Sequence, residues 1–242
     1  MDEKLGKFKI ILLLLPLIAA PVLLFRDVGS YGFVWDDKPL YINEANFPFD
    51  NPFRNVISEY EPEENEVYIP LTKTLWSVVA WQSIQKSADG TLYYSPEYFH
   101  LLNVAFHILN CILIFFLFRK ILENDWAALL GALIFALHPV CNEPVAWISE
   151  FRGILSTFWG LLALTLFLSW RTDGGKAKYI FTYVFLAFSV LSKPSGVVFP
   201  FIIIITDFLI NKPKIKEVLK TSLPLVLVIL PIFYTAVLSE AQ

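Results

Sequence analysis

Charged side chains are scarce in this chain: Asp, Glu, Lys and Arg supply 17% of its 242 residues, where a soluble domain carries about a quarter. Cysteine is scarcer still. Its two copies, Cys111 and Cys141, match neither a disulfide framework nor the spacing of a metal site, and Cys111 falls in mid-run, where a thiol acts as a small apolar side chain. The redox compartment therefore stays open. No internal repeat or low-complexity tract is present. No apolar run carries a row of charges, which argues against a channel. The formal net charge of −3 says little alone, because the charges are sorted along the chain, and no nucleic-acid partner is expected.

What the chain has in excess is apolar surface. Hydrophobic residues reach 56% and aromatics 16%, with 22 Phe, and the mean hydropathy is +0.59. One soluble core of this size could not hide so much apolar area, whereas lipid can. A spanning helix needs about 20 largely apolar residues, fewer if its flanks snorkel. Runs at 8–25, 98–118, 126–140, 154–170, 179–191, 196–210 and 222–238 meet or approach that length. The run 126–140 is short and must borrow flanking residues or sit in thin bilayer. The first run follows Lys4, Lys7 and Lys9 as a signal peptide would. Pro16 and Pro21 interrupt it, however, and no small-residue cleavage site follows, so it reads as a retained span. The expected fold is all-α: a polytopic membrane helical bundle of about seven spans, one module over 1–242.

Lysine and arginine placement sets the orientation. With the N-terminus inside, Arg119, Lys120, Arg171, Lys176, Lys178, Lys212, Lys214, Lys216 and Lys220 join the first three lysines on the cytoplasmic side. A multi-pass protein of a bacterial inner membrane or the endoplasmic reticulum follows. The extracytoplasmic loop 26–97, about 70 residues long, far exceeds a connecting turn. It is acidic yet rich in Trp and Phe, so it is not disordered in composition. Within it, 71–84 places Leu71, Leu75, Val78 and Val79 at near-helical spacing. That pattern predicts an amphipathic helix lying in the outer interface.

Four groups of residues offer chemistry. Trp35-Asp36-Asp37 opens the outer loop. Adjacent acids point different ways on regular backbone, so they divide roles, one accepting a proton while the other binds a cation or orients the loop; from spacing alone an acidic turn capping a helix is the simpler account. His138-Pro139-Val140 with Glu143, Trp147, Glu150 and Arg152 lies at an outer span end, where prolines open helix toward a cavity. His138 and Glu143 could pair or share a divalent cation, and a solvated interfacial turn explains them equally well. Lys193, in Ser-Lys-Pro-Ser-Gly, stands against the positive-inside trend; it either meets an anionic partner such as a lipid phosphate or snorkels to headgroups. Asn103, His107 and Asn110 form a polar stripe on one helical face, best read as interhelical hydrogen bonding.

In order along the chain come FVWDDKPLYI, YIPLTKTLWSV, YFHLLNVAFHILNCILIFFLFRKI, ALIFALHPVCNEPVAWISEFRGILSTFWGLLAL and LSKPSGVVFPFIIIITDF. Together these segments resemble the multi-pass GT-C glycosyltransferases, most closely the protein O-mannosyltransferase-like branch bearing tetratricopeptide repeats. The resemblance covers nearly the whole chain. It implies an inverting transferase that moves mannose or another hexose from a polyprenyl-phosphate donor to a hydroxyl of a protein or glycan, on the extracytoplasmic side of the bilayer. The family's acidic residue of the first outer loop corresponds to Asp36 or Asp37. Asp36 is the preferred base, with Asp37 its helper and Glu143 and His138 in second rank. Arg152 and Lys193 are candidates for the donor phosphate, because a polyprenyl phosphate leaves as a stable anion and needs positive charge more than acid help. Two departures stand out. Ile69 takes the place of the family's arginine, and the chain stops after the last run where family members continue into more spans and repeats, so a fragment or reduced relative is expected. The rival reading is a lipid-binding or transporter-like scaffold that kept the fold and lost the reaction.

Overall fold

The structure, a computed structural model, describes residues 2–53 and 68–238; the middle of the acidic loop lies outside the described residues. The helices are α1 (Asp2–Leu24), α2 (Pro70–Ser83), α3 (Pro96–Leu122), α4 (Asp125–Leu137), α5 (Asn142–Ala146), α6 (Phe151–Asp173), α7 (Lys176–Ser192), α8 (Phe199–Asn211), α9 (Ile215–Thr221) and α10 (Leu223–Leu238). Among the described residues the only strands are a small antiparallel pair, β1 (Ile84–Lys86) and β2 (Leu92–Tyr94), in which Ile84 faces Tyr94. The all-α expectation holds.

Local sequence explains where the helices start and stop. Pro96 occupies the first turn of α3, where its missing N–H costs nothing. Asn124 opens α4 by accepting from the amides of Trp126 and Ala127, both at 3.0 Å. Gly174 and Gly175, with φ of 71° and 99°, let the chain leave α6 and re-enter α7 at once. Pro16 and Pro21 lie inside α1 without ending it.

Five helical stretches are long and apolar enough to cross a membrane: Phe8–Ser30, Pro96–Leu122, Ile148–Asp173, Pro194–Asn211 and Ile215–Tyr234. A sixth exists if α4 and its continuation Pro139–Ala146, bent by 50°, count as one broken span. The short run at 126–140 thus reaches across only by borrowing residues beyond Pro139. The run expected at 179–191 is α7, a helix of 17 residues. Large apolar side chains such as Leu130, Ile134, Ile180, Ile205, Leu209 and Leu227 face outward, as lipid-facing positions do and water-facing ones rarely would in such number.

Three apolar clusters make up the interior of the described residues: a large one, a second under the long loop, and a small third of Phe25, Val28, Val104, Val145 and Ile154. The large one joins Leu17 of α1, Phe115 of α3, Ala132 of α4, Phe167 of α6, Val190 of α7, Ile203 of α8 and Ile229 of α10. The second sits under the long loop, with Tyr41, Phe47, Ile69 and Trp76 packed against Phe99, Ile148, Phe151 and Leu155. It gives α2 a core to cover: Trp76, Val79 and Ala80 are buried, while Val78 and Trp81 stay exposed on the other side. Thr72 Oγ1 donates to the Ser192 carbonyl at 2.9 Å, fastening α2 to the end of α7. Ile69, standing where the family's arginine was expected, is fully buried in this cluster.

The polar stripe of α3 is a set of interhelical staples. Asn103 donates to the carbonyls of Trp147 and Pro144 at 2.8 and 3.3 Å, and Asn110 donates to that of Ile154 at 3.0 Å. His107 Nε2 lies 3.2 Å from the Ala136 carbonyl. Several of these carbonyls are freed where α4 and α5 end, and inside a membrane they need a partner.

Candidate active site

Basic residues at one end of the bundle find acidic partners. Lys9 and Arg119 share Asp125 at 2.7 and 2.6 Å, Arg171 meets buried Asp207 at 2.9 Å, and Lys178 meets Asp173 at 2.8 Å. Lys9, Arg119, Arg171 and Lys178, four of the residues expected on one side, thus gather at one end. The opposite end, where the long loop folds over α3, α5 and α6, holds every candidate site residue.

Its organising contact joins residues far apart in sequence. Asp37 is fully buried. Its Oδ1 accepts from the Ser149 amide at 2.9 Å and the Ser149 hydroxyl at 2.5 Å, and its Oδ2 accepts from the Val34 amide at 2.9 Å. A buried carboxylate with three donors is the arrangement in which charge is best tolerated without a counter-ion. The turn that drives Asp37 inward is unusual. Trp35 sits at φ 44°, a left-handed conformation costly for a bulky residue, and residues Asp37–Tyr41 form one wide π-type turn closed by Ile42 N to Asp37 O at 2.5 Å. Trp35 is 73% exposed, with its ring edge-on to Trp147 at 5.1 Å.

Asp36 differs from its neighbour. It is half-buried and, among the described residues, has no hydrogen-bond or ion-pair partner. It stands near Tyr41. Burial pushes the Tyr41 phenol above its ordinary pKa; Arg152 pulls it down, and Asp36 and Glu150 add small upward pushes. The phenol is thus neutral at pH 7, and it accepts from Arg152 Nη1 at 2.5 Å while the guanidinium lies over its ring, 5.1 Å from the centroid. Tyr41 is bonded to the arginine and feels the charge of Asp36.

Arg152 and Lys193, far apart in the chain, meet through Glu150. Lys193 Nζ is 2.7 Å from Glu150 Oε2, and Arg152 Nη2 is 3.5 Å from Glu150 Oε1. Arg152 Nε is buried and has no partner among the described residues. Glu150 and Lys193 lie on the wall of a cavity of about 380 Å³ whose remaining lining is mostly apolar, including Phe135, Val145, Ile154, Val198 and Phe199. A second cavity of about 390 Å³ lies between Tyr31, Trp35, His100, Glu143 and Trp147.

Glu143 is therefore an exposed wall residue of the aromatic cavity. His138 is exposed and its Nδ1 accepts from the Val140 amide at 3.1 Å, capping the turn that follows α4. No hydrogen bond joins these two residues. Among the described residues no group of three His, Cys, Asp or Glu side chains is close enough to hold an ion. Sequence reasoning had no reason to select Tyr41 and Ser149. Both lie inside the matched segments FVWDDKPLYI and AWISEFRG, which is the only signal that could have raised them.

An all-α, multi-pass membrane protein with its polar site at one end of the bundle is the class these features define. A model of the family described as dolichyl-phosphate-mannose-protein mannosyltransferase matches residues 98–238, more than half of the chain, and the chain belongs to that family. Among curated proteins it is similar to protein O-mannosyl-transferase Tmtc2 of Drosophila melanogaster, 25% identical over 188 residues, which is 73% of this chain and 19% of that protein. It is also similar to protein O-mannosyl-transferase F38B6.6 of Caenorhabditis elegans, 26% identical over 210 residues, 82% of this chain and 28% of that one. With human protein O-mannosyl-transferase TMTC3 the identity is 25% over 179 residues, 69% of this chain and 18% of the relative. The chain thus spans less than a third of the length of these relatives. No solved structure matches it.

Proposed function

We propose that this chain carries the transfer site of an inverting, membrane-embedded mannosyl- or hexosyltransferase that takes its sugar from a polyprenyl-phosphate donor and delivers it to a protein hydroxyl. The observation that carries this reading is the convergence of two cations on Glu150 at a mostly apolar cavity, Lys193 on its wall and Arg152 just behind Glu150, beside the loop that presents Asp36. A lipid phosphate needs just that pairing: cations for its head and an apolar surface for its first isoprene units. In the reaction the acceptor oxygen bonds to the sugar's anomeric carbon as the carbon–oxygen bond to phosphate breaks. The hydroxyl proton passes to Asp36 and the electron pair leaves on the phosphate. One displacement inverts the configuration. The aromatic cavity lined by Trp35, Trp147 and Glu143 is the acceptor side in this reading.

Transfer of radiolabelled mannose from polyprenyl phosphate to a hydroxyl peptide tests it, in a chain long enough to bind the acceptor. Arg152→Gln and Lys193→Gln should each raise the donor KM about tenfold and leave the acceptor KM nearly unchanged, since each removes a charge-assisted contact to the phosphate. If neither shifts donor saturation, the phosphate site lies elsewhere.

The reading also requires the long loop outside and the N-terminus in the cytoplasm, as the basic inner loops support. With Cys111 and Cys141 buried, background labelling is low. A membrane-impermeant maleimide should modify Ser87→Cys in intact cells and Lys214→Cys only after permeabilisation. The reverse pattern would invert the whole arrangement.

A further inference from the structure

Glu150 is an odd neighbour for a phosphate site. Its one carboxylate spans both cations, at 2.7 Å from Lys193 Nζ and 3.5 Å from Arg152 Nη2, and its side chain is 19% exposed. The place is kept open for it. A Cβ on Gly153, one turn along, would come within 3.2 Å of Glu150 Oε2 and 3.5 Å of Lys193 Nζ. Two positive charges and one negative leave a surplus of one positive charge. Asp36, on the long outer loop and felt at Tyr41, adds negative potential.

That surplus matters because the reaction changes the charge on the lipid. A polyprenyl-phosphate sugar is a phosphodiester with a single negative charge. Once the sugar has left, the lipid carries a phosphomonoester of about −1.5 to −2 at neutral pH. The cations attract both, but a fixed carboxylate bonded to those same cations repels the second charge as well as the first. We propose that Glu150 offsets much of the extra attraction this site would have for the doubly charged, spent polyprenyl phosphate, so that the product is held little more tightly than the donor and is released after transfer. The proposal rests on the phosphate role of Arg152 and Lys193. A merely structural Glu150, propping the two cations in place, would instead help both lipids alike.

Binding of two short probes distinguishes these cases: farnesyl phosphate, a monoester, and its methyl ester, a diester, each measured on the full chain in detergent at constant salt. Glu150→Gln should tighten the monoester about tenfold and the diester only about three- to fivefold, because the repulsion relieved scales with the charge on the head. Glu150→Asp, which keeps the charge, should retain the native ratio. In turnover, Glu150→Gln should become sensitive to inhibition by added polyprenyl phosphate. A monoester-to-diester ratio unchanged in Glu150→Gln, or equal weakening of both probes, overturns the inference while leaving the phosphate site standing, provided Arg152→Gln and Lys193→Gln still weaken both probes. If those two variants leave both probes unaffected, the phosphate site fails and this inference with it.

Discussion

Asp36→Asn should insert and fold normally and lose roughly 10²–10⁴-fold in transfer rate, the range for removing a general base. Asparagine keeps the shape and the hydrogen-bonding reach of the side chain and removes only the proton acceptor. The structure makes the choice between the two adjacent acids a physical one. A base must reach the proton it takes. Both oxygens of Asp37 are occupied by Ser149 and Val34 in a fully buried position; Asp36 is half-buried and free of such partners among the described residues. The donor KM should change little in Asp36→Asn, because the base acts in the displacement step and does not hold the phosphate. Near-native turnover in this variant would transfer the role to another carboxylate, with Glu143 next.

Asp37→Ala should act through stability and placement. It strands the Ser149 amide and hydroxyl in a buried pocket and leaves the part-buried Val34 amide without its acceptor. Hydrogen bonds to a charged group are worth about 1.5–3 kcal/mol, and an unsatisfied buried donor costs about 1–3 kcal/mol. A loss on the order of 3 kcal/mol is expected, which for a chain of this size lowers the melting temperature by roughly 6–12 °C. The wide turn of residues Asp37–Tyr41 would come away from the segment Ile148–Glu150, and Trp35 would be released from its strained conformation, so transfer should fall as well. Asp37→Asn should be milder than either change, since its amide oxygen still accepts from Ser149. The pair of measurements that decides the matter is thermal unfolding in detergent beside the transfer rate. Full stability in Asp37→Ala would show that the Ser149 contact does not hold the loop.

Much of the fold was legible because a membrane imposes long apolar runs with few exceptions. The runs at 98–118 and 154–170 reappear inside α3 and α6, and the near-helical spacing at 71–84 reappears in α2. The polar stripe Asn103, His107 and Asn110 was readable for a related reason. Amides on one face of an apolar helix must find partners on a neighbouring helix. Span boundaries were less legible: hydropathy sees apolar residues and not the break at His138–Pro139, after which the helix turns by 50°. The burial of α2 was not legible from its spacing. Its apolar face has a core to cover, because Tyr41, Phe47 and Ile69 of the loop itself fold back onto Phe99 and Phe151.

By itself, the sequence determined that this chain is a helical membrane protein, that its basic loops sort to one side, and that an acidic, aromatic loop stands apart from them. These properties follow from composition and period, which act residue by residue against lipid and water. Only the tertiary structure decided what the site residues do to one another. Asp36 and Asp37 are chemically identical in the sequence, and a serine 112 positions away from Asp37 separates them. Arg152 and Lys193 are two isolated cations in the sequence, and Glu150 binds them into one site. Such differences arise from who neighbours whom across helices, and a side chain's charge, exposure and reach are set by those neighbours rather than by the residues beside it in the chain.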